Sequence, residues 1–460
     1  MNAMVLVPAL LGLFYVARGR AETAFLSVYL PTLILVPVQY AIRLPHVPPL
    51  SISMAAVIPL GIVALLRFPR RARLSIMDIL VGLFMISVAV SEVLKEHIRN
   101  DGIFTAVSSF IEMFLPYAVG RVLIEPRLRL ATVRRIVIMA LFLGLPGIYS
   151  WRMELNPYAP IGKMVFNVDM SSVVQVRSGH GRLEAAFSDA EIAGAVFGII
   201  GALNAWLVFL RKRGLGARLG RQLDWFEGRH IPGLLLLLYV ILTQSRGPML
   251  GVIASYLILQ ISRFNNTRRA TIVIGVVLVL GTVGVDQYLS HYTNVAGPHA
   301  IRDEAQGSAI YRRTMKRVYE PVIEQGGWLG WGYGSIPKVK GLFEIYKGVQ
   351  SVDDEFLYVH LAQGKFGYFL LLLIAVESIR TLALRSWRRQ PAEDRVFTLV
   401  LLGAMAILWI TLSTVALGEQ MPQIAFLLIG WGQSSLPAVE KATNNTGHGR
   451  AQLGRLQPVT

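Results

Sequence analysis

Apolar runs recur along the chain at close to the ~20 residues that an α-helix needs to cross a hydrocarbon core. The pattern predicts spans over 2–17, 24–42, 50–66, 76–94, 104–120, 132–150, 189–209, 231–244, 248–262, 270–290, 356–378, 396–416 and 421–438. The expected fold is an all-α polytopic integral membrane protein with 12–13 transmembrane helices. The pair in the middle is short. From Ile231 to Ile261 the chain holds no acidic residue and is interrupted by one cationic turn, Gln244-Ser245-Arg246-Gly247-Pro248. Either two helices meeting near one membrane face or a re-entrant hairpin fits, because irregular backbone at that depth is tolerated only where it lines a cavity. A guanidinium at bilayer depth costs at least ~2.5–3.5 kcal/mol on insertion scales, so Arg246 must face water or an anion rather than lipid.

Composition agrees with the pattern. Of 460 residues 54% are hydrophobic and 16% charged, and there is no cysteine, which removes disulfides, thiolate metal sites and cysteine nucleophiles. The net charge of +17 does not indicate nucleic acid here, because the arginines sit in short connections between apolar spans. The N-terminal run lacks a basic region and a small-residue cleavage site, and reads as a retained span. Connections 67–73, 121–135, 211–229, 263–269 and 380–395 carry 23 Lys and Arg between them and are expected in the cytoplasm.

That orientation gives N-terminal transmembrane helices over 1–150, a first outer loop over 151–188 and central transmembrane helices over 189–290. A large outer loop over 291–355, C-terminal transmembrane helices over 356–438 and a disordered cytoplasmic tail over 439–460 complete the chain. The two long loops, and any function they carry, would lie on the opposite, outer face of the membrane.

The large outer loop carries eight basic and eight acidic residues, and its Trp, Tyr, Phe and Val content predicts folded structure. From Asp303 to Gln325, apolar Ala309, Ile310, Met315, Val318, Tyr319 and Val322 alternate at helical spacing with Arg312, Arg313, Lys316 and Arg317. This predicts an amphipathic helix along the membrane surface. Five glycines follow between Gly326 and Gly334, permitting tight turns and close backbone approach to a ligand. Next, Ser351-Val352-Asp353-Asp354-Glu355-Phe356-Leu357-Tyr358-Val359-His360 enters a span interrupted by Gly364 and Gly367. On a continuous helix Asp353 and His360 would share a face two turns apart. A carboxylate here is either a general base for a sugar hydroxyl or a helix N-cap.

The order of these motifs resembles the O-antigen ligase and Wzy-type O-antigen or exopolysaccharide polymerase superfamily. The resemblance rests on Ser245-Arg246-Gly247, then Tyr311-Arg312 on a helix, then the glycine-rich turn over 327–334, then Asp353-Asp354-Glu355-Phe356-Leu357 before Gly364-Lys365-Phe366-Gly367. It covers roughly residues 180–380. It implies an inverting, metal-independent membrane glycosyltransferase without a cofactor, which transfers a glycan from an undecaprenyl-diphosphate-linked donor to a glycan or lipid-linked acceptor. Arg246 and Arg312, with Arg313 adjacent and Arg182 aligned more loosely, would hold the diphosphate, and Asp353, Asp354 or His360 would act on the acceptor. Beyond the lipid bilayer, a flippase and a chain-length regulator are implied partners.

Asp353 and Asp354 stand where ligases carry a His-Asn pair, which favours a polymerase over a ligase to lipid A core or a protein O-oligosaccharyltransferase. His180 and His291 are further candidate bases, although a lone histidine is more often structural. Two other classes remain open: a lipid-linked substrate transporter, whose broken helices also build anion sites, and a non-catalytic subunit of an envelope-assembly machine.

Overall fold

The computed structural model describes residues 3–42, 49–71, 73–94, 99–177, 179–187, 189–214, 229–264, 266–293, 304–333 and 352–434. The tail expected over 439–460 and most of the connection over 211–229 lie outside them. The protein is an all-α polytopic membrane protein. Six helical stretches among the described residues are long and apolar enough to cross a membrane, and Ala3–Ala17, Ala21–Leu35 and His230–Leu242 are shorter apolar helices.

In chain order the helices begin with α1 (Val7–Ala17), α2 (Ala21–Ala24), α3 (Leu30–Leu35), α4 (Ile52–Arg71), α5 (Ile76–Val93), α6 (Arg99–Ser109), α7 (Leu115–Leu123), α8 (Pro126–Met153) and α9 (Tyr158–Ile161). They continue with α10 (Ala190–Lys212), α11 (His230–Leu242), α12 (Arg246–Gln260), α13 (Thr267–Thr293), α14 (Glu304–Gly326), α15 (Glu355–Trp387), α16 (Ala392–Leu412) and α17 (Met421–Gln433). Single π turns at Phe25–Tyr29 and Phe110–Phe114 join α2 to α3 and α6 to α7. The second span stops at Leu35 rather than continuing to 42, because Val36 precedes Pro37 and is extended, as a residue before proline prefers.

Helices α10 and α16 form the centre of the array, each with 83% of its apolar window buried, and α12 packs against both. Large apolar side chains on the periphery, among them Leu10, Leu66, Phe142 and Val279, are exposed, as expected of surface that lipid covers. Where α7 crosses α17, Gly120 lies against the backbone of Leu427 and Trp431, and Gly430 lies against that of Tyr117 and Arg121. Glycine at both positions lets the two backbones touch, the usual way membrane helices gain packing energy.

At one end of the array Arg121 donates to Gln433 O and to Arg73 O (3.0 Å) and pairs with buried Asp78, while Arg385 donates to Gly432 O at 2.7 Å. These cations satisfy the last carbonyls of α17 and favour the negative end of its dipole. The candidate residues gather at other helix ends.

The first loop is folded. It contains α9, a π turn at Gly162–Phe166, and an antiparallel pair of strands, β3 (Val176–Arg177) and β4 (His180–Gly181). The pair β1 (Ala41–Ile42) and β2 (Leu50–Ser51) lies after the second span.

Candidate functional site

The cationic turn between α11 and α12 is built as the sequence suggests. The two helices have 13 and 15 residues, and Gln244 takes a left-handed φ of 53° between them. The end of α11 exposes carbonyls that need donors, and the first loop supplies them. Leu183 N donates to Leu242 O (3.1 Å), Arg182 Nε to Thr243 O (3.0 Å) and Arg177 Nη1 to Gln244 O (2.8 Å).

Arg182 is buried, and its other nitrogens donate to Gln175 Oε1 (2.6 Å) and Ser245 Oγ (2.6 Å). Burial, with Arg177 alongside, lowers its pKa. All three of its nitrogens are therefore engaged in holding the turn. Arg246, the first residue of α12, is exposed and has no hydrogen-bond or ion-pair partner among the described residues.

Thr414 links this turn to α14. Its side chain faces Gly247, where a Cβ would collide with the hydroxyl, and its carbonyl accepts from Arg312 Nη2 at 3.3 Å. The same nitrogen lies 3.5 Å from Glu191 Oε1 in the first turn of α10. Asp189 caps that helix by accepting from Glu191 N at 2.6 Å. Arg246 and Arg312 thus flank one short segment after α16. Arg313 is exposed beside Arg312.

Asp354 is the N-cap of α15. Its Oδ1 accepts from Phe356 N (3.0 Å) and Leu357 N (3.3 Å), and Oδ2 pairs with Lys316 Nζ at 3.6 Å. Burial raises its pKa, with Lys316 opposing. Glu355, fully inside, accepts from Leu417 N at 2.6 Å and ties α15 to the segment carrying Thr414. Asp353 precedes the helix, is half-buried, and lies within electrostatic reach of Glu191 and Tyr319.

Because α15 starts at Glu355, the expectation that Asp353 and His360 share a helical face does not hold: the extended backbone of Asp354 breaks the phase between them. His360 instead stacks on Tyr368, ring centroids 4.7 Å apart, with Nε2 buried and unpartnered among the described residues. His180 sits in β4 near Trp151.

Helix α14 does not present its apolar face to the membrane surface as expected. Met315, Tyr319 and Val322 are buried against Leu357, Leu361 and Ala362 of α15. Packing on an apolar helix satisfies the same stripe that a bilayer would.

The glycine turn after α14 also packs on protein. At Gly364 (φ 67°, ψ −163°) α15 is not helical, and the turn fills the break. Trp331 N donates to Leu361 O (2.9 Å), Gly332 N to Ala362 O (2.7 Å), Lys365 N to Gly327 O (3.1 Å) and Phe366 N to Trp328 O (3.2 Å). Gly330 (φ 69°) and Gly364 meet backbone to backbone, so neither has room for a Cβ. From α5, Ser91 Oγ lies 2.6 Å from both Leu329 O and Ala362 O, and Glu92 accepts from Tyr333 N. Four backbone hydrogen bonds thus replace those the broken helix gives up.

Sequence reasoning missed Glu191, Thr414 and Lys316 as members of this constellation. An acidic residue one turn into the apolar 190–212 helix was the available signal for Glu191; nothing local marks Thr414.

A comparison with curated proteins returns no match. Residues 231–372, which hold the Arg246 turn, α14, the glycine turn and the break in α15, match the O-antigen ligase family, and this match supports the O-antigen ligase and Wzy-type superfamily for the chain, with glycan transfer of the O-antigen ligase type as its coarse function.

Proposed function

We propose that the chain transfers a glycan from an undecaprenyl-diphosphate-linked donor to a sugar hydroxyl at the outer face of the inner membrane. The acceptor oxygen attacks the anomeric carbon with inversion. The bond from that carbon to the diphosphate breaks, its electron pair leaves with the diphosphate, and the hydroxyl proton passes to Asp353. Arg246 and Arg312 stabilise the charge growing on the leaving group, so no metal is required. Guanidinium groups suit that task because they stay charged in a low dielectric and bind phosphate oxygens in bidentate fashion.

The observation that carries this reading is the meeting at Thr414. Its carbonyl takes Arg312 and its side chain abuts Gly247, the residue after the unpartnered Arg246, so both arginines border the same segment. Arg182 and Arg177 act one step back, holding the turn. Asp354 and Glu355 fix the start of α15, which leaves Asp353 outside the cap. A carboxylate in place of the ligase histidine favours a polymerase, whose acceptor is another lipid-linked repeat unit; ligation to lipid A core is the second reading.

The test is Arg246→Lys and Arg312→Lys in cells that depend on this chain. Each variant should insert normally and lose most transfer, because a point charge does not replace a bidentate fork. Glycans of wild-type length in cells carrying Arg246→Lys would refute the reading.

A further inference from the structure

Glu191 has an oxygen with nothing to bind. Its Oε1 lies 3.5 Å from Arg312 Nη2, while Oε2 is buried and is the only buried carboxylate oxygen among the described residues without a hydrogen-bond partner. A buried acceptor left unsatisfied is costly, and more so when charged. Such an atom in a well-packed helix end points to a donor that arrives with a ligand.

The surroundings narrow what that donor is. Arg312 uses Nη2 on Thr414 O and Glu191, and its Nε and Nη1 have no partner among the described residues. The hydrogens on those two nitrogens are available to donate to phosphate oxygens. Oε2 itself does not receive an anion, since it is anionic and Asp353 and Asp189 already crowd it with like charge. It needs a hydroxyl or amine hydrogen positioned immediately beside an arginine-bound phosphate. A sugar attached through its anomeric carbon to a diphosphate carries hydroxyls close to the phosphate.

We propose that Glu191 is a substrate-binding residue that accepts a hydrogen bond from the sugar directly attached to the donor diphosphate, with Arg312 holding the diphosphate beside it. This rests on the diphosphate reading above and adds a sugar-recognition role to it. Through Oε1 the same carboxylate holds the guanidinium in register, so one side chain sets the position of the phosphate relative to the sugar.

The experiment uses membranes containing the full chain, with lipid-linked glycan extracted from the host strain as donor and inorganic diphosphate as competitor. In Glu191→Gln the KM for the donor should rise about ten- to a hundred-fold, the loss expected when a charged acceptor of a hydrogen bond is neutralised. Inhibition by inorganic diphosphate, which has no sugar, should stay close to wild type. Glu191→Asp keeps the charge on a shorter arm and should give an intermediate KM, which provides a second reading if the glutamine variant folds poorly.

Inhibition by inorganic diphosphate weakening in step with KM would mean that Glu191 acts only by holding Arg312, and would overturn the proposal. A fall in kcat with KM unchanged would make it a base and overturn it too, as would unchanged kinetics. Arg312→Lys separates the two readings. If that variant keeps both transfer and inhibition by inorganic diphosphate, the diphosphate reading fails whatever Glu191 does.

Discussion

Asp353 and Asp354 are adjacent carboxylates in different settings, the first half-buried ahead of α15 and the second its N-cap. Asp354 caps α15 and pairs with Lys316, so Asp354→Ala should lower stability by about 1 kcal/mol while Asp354→Asn leaves it nearly unchanged. Asp353→Asn should leave thermal unfolding of the solubilised protein unmoved and abolish transfer; retained transfer would remove it as the base. The three acidic residues at 353–355 look alike in sequence, where the choice between base and cap stays open. The structure assigns the cap to Asp354, whose backbone is extended and whose side chain accepts from Phe356 N and Leu357 N. Glu184 offers a pH test at the same scale. Burial lifts its pKa from 4.5 to about 7. The folded state therefore holds a proton that the unfolded state releases, and Glu184 costs nothing below about pH 4.5 and progressively more up to about pH 7. Glu184→Gln can keep the bond from Gln175 N (2.9 Å) to Oε1 and should flatten this part of the stability profile, gaining stability above neutral pH. An unchanged profile from pH 4.5 to 7 would show that the carboxyl does not titrate there.

The break in α15 is the element on which the candidate region depends. Gly330→Ala and Gly364→Ala both place a methyl against backbone at a positive φ, a strain that no side-chain movement relieves. Each should reduce the yield of folded protein sharply, as read by monodispersity after solubilisation. Gly82→Ala in α5 meets nothing within 4 Å and should be neutral or slightly stabilising. The sequence marks the break through Gly364 and the short pair through the interruption at 244–248, because both are local exceptions to an apolar run. It does not reveal that the glycine turn and the break fit each other, since residues 327–332 and 361–366 are joined by backbone bonds that carry no side-chain signature. Nor does it reveal where α14 docks. An apolar stripe of helical period is the same for a bilayer and for a neighbouring helix.

Over the whole molecule, the positions of the arginines make one prediction about orientation. Reporters fused at Gly307 and at Gly216 should lie on opposite sides of the membrane, the first periplasmic and the second cytoplasmic. The same side for both would move the proposed reaction to the wrong compartment. The central placement of α10 and α16 follows from nothing in their sequences beyond apolarity on every face, so the alternation of spans is legible while their neighbours are not. The lock at Gly330 and Gly364 also bears on chain length. It fixes the chain at 327–332, and the cap at Asp354 fixes it again where α15 begins. Two clamped points therefore bound the sequence between Tyr333 and Val352. Joining two fixed points costs only about 0.6 kcal/mol more for each doubling of the intervening length, so an insertion after Tyr333 should leave both clamps in place.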